Sequence, residues 1–139
     1  MIESVIIDTD VLIDAGRRIP EAVEYLQDLE KCISMAISTV TQMELIIGCR
    51  NKKELRSVEV FLSRFQIIKL NEQLSDIAVD LLKKYRLSHG LLIADALVAA
   101  TAIYFAQPLI TKNQRHFQFI EDLELVAYPK PLELKNRGE

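Results

Sequence analysis

Three carboxylates stand where a charge is expensive. Asp8 ends the β-forming apolar run Ser4-Val5-Ile6-Ile7 and is followed at once by Thr9-Asp10-Val11-Leu12-Ile13. Glu44 lies among Met43, Leu45, Ile46 and Ile47, and Asp95 interrupts the apolar stretch from Leu91 to Ala106. A buried carboxylate is costly unless something positive compensates it, and ionised carboxylates pressed together repel one another. Such a cluster calls for a cation. Oxygen ligands without His or Cys pairing suit Mg2+ or Mn2+. A cation of that kind lowers the pKa of a water and stabilises the charge that develops on a phosphodiester under in-line attack. The residues alone therefore point to metal-dependent phosphoryl chemistry.

Each acid also has a plainer reading. Asp8 at the tip of a buried strand is presented to a ligand, because parallel sheets bind ligands outside the carboxyl ends of their strands. Asp10 reads as a helix N-cap, and Asp14 as a surface residue of the same short helix. Thr41-x-x-Glu44 fits a capping box, but Thr39-x-x-Gln42 fits it equally. Val40, Met43, Glu44 and Ile47 share the i, i+3, i+4, i+7 spacing of an inward helical stripe, which predicts that Glu44 faces the sheet edge. From Leu91 to Ala106 only Asp95 and Thr101 are not apolar, predicting a helix buried nearly all round. A helix N-terminus would soften the cost of Asp95 there. Asn113 follows a strand and serves either as an oxygen donor that positions water or as an ordinary N-cap. His116 reads as a rim or structural residue, and Lys112, Arg115 and His116 as a small phosphate-contacting patch. The charge run Asn51–Arg56 reads as a solvated face.

The elements that must position these groups alternate. Strands are predicted at Val5–Asp8, Ile33–Ser38, Ile67–Leu70, Leu109–Thr111 and Leu123–Ala127. Helices are predicted from Asp10 to Gly16, Glu21 to Leu29 (with Pro20 in the first turn), Thr39 to Gly48, Lys52 to Arg64, and from an Asn71 cap to about Tyr85. Ser88-His89-Gly90 reads as a turn before a last helix that ends near Ala106. Alternating strands and helices predict a three-layer α/β/α sandwich around a mostly parallel sheet. Residues 1–130 form the expected single domain and 131–139 a polar C-terminal tail.

Bulk properties exclude several classes. Half of the 139 residues are apolar, with four Gly and four Pro, which excludes a disordered or fibrous chain. Cys32 and Cys49 show no metal-ligand or redox spacing and read as small buried hydrophobes in a reducing cytoplasm. No basic stretch precedes the apolar start, so no signal peptide is expected, and the longest apolar run is too short to span a membrane. A net charge of −3 is not the footprint of a tight nucleic-acid binder. Bound metal and a local basic rim can nevertheless supply the field for an RNA substrate.

Four blocks in order carry a resemblance. They are Ile-Ile-Asp8-Thr9-Asp10-Val-Leu-Ile, Ser38-Thr39-Val40-Thr41-Gln-Met-Glu44-Leu-Ile-Ile-Gly48, Ile93-Ala94-Asp95-Ala96-Leu97-Val98-Ala99-Ala100-Thr101-Ala102 and Leu109-Ile110-Thr111-Lys112-Asn113-Gln-Arg-His116-Phe117. From Val5 through Tyr128 the chain resembles the PIN-domain ribonucleases, specifically the VapC-type toxins of toxin–antitoxin modules. The resemblance implies a small α/β/α sandwich that cleaves single-stranded RNA with Mg2+ or Mn2+. It implies that Asp8, Glu44 and Asp95 are metal ligands and that Thr9 is a polar site residue. Asn113 stands where many members carry a fourth acid, so one metal site is expected and two-metal catalysis is left open. A homodimer and an antitoxin whose tail reaches the acids are also implied.

Two other classes compete. Asp8-x-Asp10 resembles the opening motif of haloacid-dehalogenase phosphatases, with Asp8 as nucleophile, although the paired acids that motif requires are represented here only by Glu121-Asp122. A catalytically weak PIN-like scaffold that binds a partner is the non-enzymatic alternative.

Overall fold

The apolar run ahead of Asp8 forms the central strand. A computed structural model describes residues 4–132. Strands β1 (Ser4–Ile7), β2 (Ser34–Ser38), β3 (Gln66–Ile68), β4 (Leu109–Thr111) and β5 (Leu125–Ala127) alternate with six α-helices. These are α1 (Thr9–Gly16), α2 (Pro20–Cys32), α3 (Thr39–Ile47), α4 (Lys52–Leu62), α5 (Glu72–His89) and α6 (Ile93–Tyr104), with a 3-10 turn at Gln114–His116. The sheet order is β3-β2-β1-β4-β5, and every pairing is parallel. The α/β/α sandwich expected from alternation is present, and its sheet is all parallel rather than mostly so.

Parallel strands covered on both faces must be apolar on both, and β1 shows it residue by residue. Ile6 packs on one side with Ala36, Leu109, Leu81 and Ala99. Val5 and Ile7 pack on the other with Met35, Ile37, Ile110, Val11 and Leu26. Each of these β1 side chains is fully buried, a contribution of roughly 1.5–3 kcal/mol apiece.

Helix ends follow local chemistry. Pro20 occupies the first turn of α2. Ser38, Asn51 and Asn71 accept from the first amides of α3, α4 and α5. Gly90 closes α5 in the left-handed region at φ 71°, a conformation that favours glycine. Ser88 and His89 therefore belong to the helix, and only Gly90 makes the turn. Helix α2 runs past the expected Leu29 to Cys32, and α6 starts at Ile93.

Three burial expectations fail. In α3 the buried residues are Val40 and Thr41, whereas Met43 and Ile47 are 52% and 81% exposed. The expected inward stripe is thus rotated outward. Helix α6 is not buried all round: Ala96 and Val98 to Ala102 face the core, but Leu92 at its start and Ile93 are exposed. Cys32 ends α2 at the surface and Cys49 is half-buried, so neither is a core residue. Of the expected tail, Pro131 and Leu132 lie within the described residues, and Leu132 packs against the α1–α2 side of the core. Tyr25 Oη donates to the Lys130 carbonyl at 2.9 Å. Residues 133–139 lie outside the described residues. Among the described residues no helix is long and apolar enough to cross a membrane.

Candidate active site

The chain lays β2 and β3 on one side of β1, then β4 and β5 on the other. The crevice where this order reverses, beyond the carboxyl ends of β1 and β4, is where open α/β sheets bind ligands. Asp8 stands there. Its side chain accepts from the Thr9 amide at 2.9 Å and from Thr111 Oγ1, at the end of β4, at 2.8 Å. Asp8 is only 7% exposed. Burial above all, then the neighbouring Asp10 charge, pushes its carboxyl up to about 7; the Thr111 and Thr9 bonds pull the other way, and Asp95 adds to the rise.

The elements around the crevice bring the other acids. Thr9 Oγ1 donates to Glu44 Oε1 at 2.7 Å and lies 3.1 Å from Thr41 Oγ1, tying the start of α1 to α3. Asp95 sits in the first turn of α6, whose preceding Leu92 supplies no side-chain cap. Its Oδ2 lies 3.4 Å from His116 Nδ1. Burial raises the Asp95 carboxyl, the facing His116 lowers it, and Glu44 and Asp10 raise it further. Charge repulsion thus links Asp95 to Glu44 and Asp10, and Asp8 to Asp10 and Asp95.

Asp10 takes a larger part than its sequence context suggests. The helix cap is Asp8, not Asp10. Asp10 Oδ2 accepts from the amides of Lys112 and Asn113, both at 3.1 Å, and lies 3.3 Å from Thr111 Oγ1. It suspends the loop after β4 over the crevice. Asp14, expected at the surface, is buried and accepts from Lys112 Nζ at 2.9 Å. Lys112 is thereby withdrawn from the expected phosphate-contacting patch, leaving Arg115 and His116 exposed. Asn113 precedes the 3-10 turn without making a side-chain cap bond, so the ordinary capping role is not the one it plays.

Of the sequence candidates, Asp8, Thr9 and Glu44 are joined by direct bonds or by adjacency, Asp95 by its charge, and Asn113 through its backbone to Asp10. Glu44 reaches the site from an exposed helix face rather than from an inward stripe. Thr111 and Asp10 also belong to the site, through their bonds to Asp8 and to the loop after β4. The clue for Thr111 was the same as for Asp8, a polar residue ending an apolar strand.

The donor set is all oxygen and short of positive charge, which suits a hard divalent cation. Among the described residues no three His, Cys, Asp or Glu side chains already converge as a metal-holding group; Glu44 is held by Thr9 and Asp95 faces His116. A cation here would draw together side chains now held by these neighbours.

Comparisons with known proteins place the chain in a family. Residues 5–121 match the PIN domain family. The chain is 33% identical over 130 residues to Ribonuclease VapC1 of Methanocaldococcus jannaschii, covering 91% of this chain and 88% of that protein. It is 36% identical over 121 residues to Ribonuclease VapC19 of Mycobacterium tuberculosis, covering 86% and 96%. A solved toxin–antitoxin complex from Klebsiella pneumoniae has a chain that superposes with a TM-score of 0.74 at 30% identity, over 92% of this chain and 99% of that one. With its parallel sheet, its acids at the switch point and these relatives, the chain belongs to the PIN-domain family, in its VapC-type branch.

Proposed function

We propose that the protein is a metal-dependent endoribonuclease that cuts single-stranded regions of RNA and serves as the toxin of a toxin–antitoxin pair. One observation carries this reading: Asp8 is buried at the switch point, hydrogen-bonded by Thr9 and Thr111, and its carboxyl is pushed up to about 7 by burial first and by the nearby Asp10 and Asp95 charges after it. Asp8, Glu44 and Asp95 are the residues that would hold Mg2+ or Mn2+. Such an ion, when bound, supplies water activation and charge neutralisation at a phosphodiester.

The chain's own residues do the rest. Thr9 holds Glu44 in place, and Thr111 orients Asp8. Asp10 hangs the loop that carries Asn113, whose exposed amide can donate to a phosphate oxygen or position a water. Arg115 gives the rim its positive charge, and His116 lines it beside Asp95. Both oxygens of Asp8 are already hydrogen-bonded, and the family is not that of the haloacid-dehalogenase phosphatases, so a phosphoaspartate on Asp8 is not part of this reading.

The VapC-named relatives and the toxin–antitoxin complex support an antitoxin partner. A groove of about 970 Å3 between α1, α3 and α4 fits one. Ile13, Leu45, Val58 and Phe61 line it with apolar surface, Arg17, Arg18 and Lys53 with charge, and Glu44 belongs to its wall. A segment occupying it would therefore reach the site. Exposed Met43, Ile46 and Ile47 on α3 suit a homodimer contact.

Incubating an end-labelled RNA with wild type and Asp8→Asn in Mn2+ tests the reading. Cleavage should fall at least ~100-fold in the variant, the scale of losing a group that acts on developing charge. Equal rates would remove Asp8 from the chemistry.

A further inference from the structure

We propose that the cavity beside Asp95, lined by His89, Leu91, Leu92, Arg115, His116 and Phe119, is a nucleobase subsite that seats one base of the substrate next to the cleaved linkage. This assignment rests on the ribonuclease reading for its place in catalysis, but not for its ability to bind a base. The cavity holds about 200 Å3. At ~30 Å3 per water that is room for six or seven waters, the scale of one planar base rather than a folded strand.

Its wall is aromatic and flat. The His89 and Phe119 rings stack with centroids 4.3 Å apart and planes 11° apart. Tyr85 tilts against Phe119 at 5.3 Å and stands 6.0 Å from His89. Tyr85 is buried and Phe119 half-buried, so those two account for packing α5 against the segment after the 3-10 turn. His89 is exposed and adds little to that core. What it adds is an open ring face that continues the stack, the kind of surface on which unpaired bases are held.

The wall is also fixed in advance. Ser88 Oγ lies 2.7 Å from His89 Nδ1 and restrains the ring. Arg86 Nη1 donates to the carbonyls of Gly90 and Leu91 at 3.0 and 3.2 Å, stiffening the turn that ends α5 and begins α6. The same turn delivers Asp95, so base and reacting phosphate would be positioned by one element. Among the described residues Arg115 makes no ion pair, leaving its guanidinium available to the phosphate of the bound nucleotide.

The chain contains two histidines, and both line this cavity. Their ring Cε1–H resonances therefore report on it directly. The test is an NMR titration of the full-length protein with AMP at fixed pH in EDTA, with ribose 5-phosphate as the base-free control. The His89→Gln variant assigns the two signals. AMP should move the His89 signal upfield and saturably, while ribose 5-phosphate moves His116 alone. His89→Gln, read at the His116 signal, should weaken AMP by ~10-fold, the scale of losing one stacked aromatic. Arg115→Gln, a surface change that spares the core, should weaken both ligands. An AMP response at His89 no larger than that of ribose 5-phosphate, or an AMP affinity unchanged in His89→Gln and Arg115→Gln, would overturn the subsite. Saturable AMP binding in a protein that cuts no RNA would sink the nuclease reading and leave the subsite standing. RNA cleavage without any base-dependent response would do the reverse.

Discussion

Asp8 gives the site its character, because a carboxyl with a folded pKa of about 7 against an ordinary 3.8 binds a proton more readily folded than unfolded. Its contribution to stability is therefore fully present below about pH 4 and is lost as pH rises through 7. In EDTA, wild type should lose about 2–4 kcal/mol between pH 4 and pH 8.5 relative to Asp8→Asn, which cannot titrate. Urea denaturation of both proteins across that range checks it, and parallel pH profiles would contradict it. Thr9 offers a second test at this scale. Thr9→Val keeps the shape but releases Glu44, so cleavage should fall about tenfold with the fold retained. Full activity in that variant would show that Glu44 needs no such hold. At this level the sequence was readable where chemistry and position coincide. Asp8 declared itself by ending an apolar strand, but Asp10 did not, because an N-cap and a loop-suspending acid look alike until β4 is placed beside α1.

Elements set the angles at which these residues meet. Strand β1 and its neighbours were legible from apolar runs because parallel strands are buried on both faces. Helix α3 was not. Its apolar residues Met43, Ile46 and Ile47 fall within one arc of about 100°, so spacing predicted that side to face inward, yet it is the side left to solvent. Tertiary packing chose Val40 and Thr41, and Glu44 came to the site from outside. Helix α6 misled for a similar reason, since an apolar sequence does not distinguish core from a surface that meets a partner. The α5–α6 turn is the element most open to test. A Cβ on Gly90 would meet nothing within 4 Å, so Gly90→Ala is penalised only by its φ of 71°. It should cost about 1–2 kcal/mol and lower cleavage by shifting Asp95. A melting temperature equal to wild type would show that the left-handed turn is not needed.

The whole molecule presents a charged crevice, a groove and an apolar face on an α/β/α sandwich. Solvent-exposed Ile47 contributes nothing to the core, so Ile47→Asp should leave the monomer folded while shifting the expected homodimer toward half its mass in sedimentation experiments. A wild-type protein that sediments as a monomer would remove the dimer from the account. The central claim, that the acids at the switch point make a metal-dependent ribonuclease, is tested most directly by one assay. It is cleavage of an end-labelled panel of single-stranded RNAs in Mg2+, Mn2+ or EDTA, with wild type beside Asp95→Asn. The account predicts cutting that needs the metal and disappears in the variant. Cutting that persists in EDTA, or in Asp95→Asn at the wild-type rate, would contradict it.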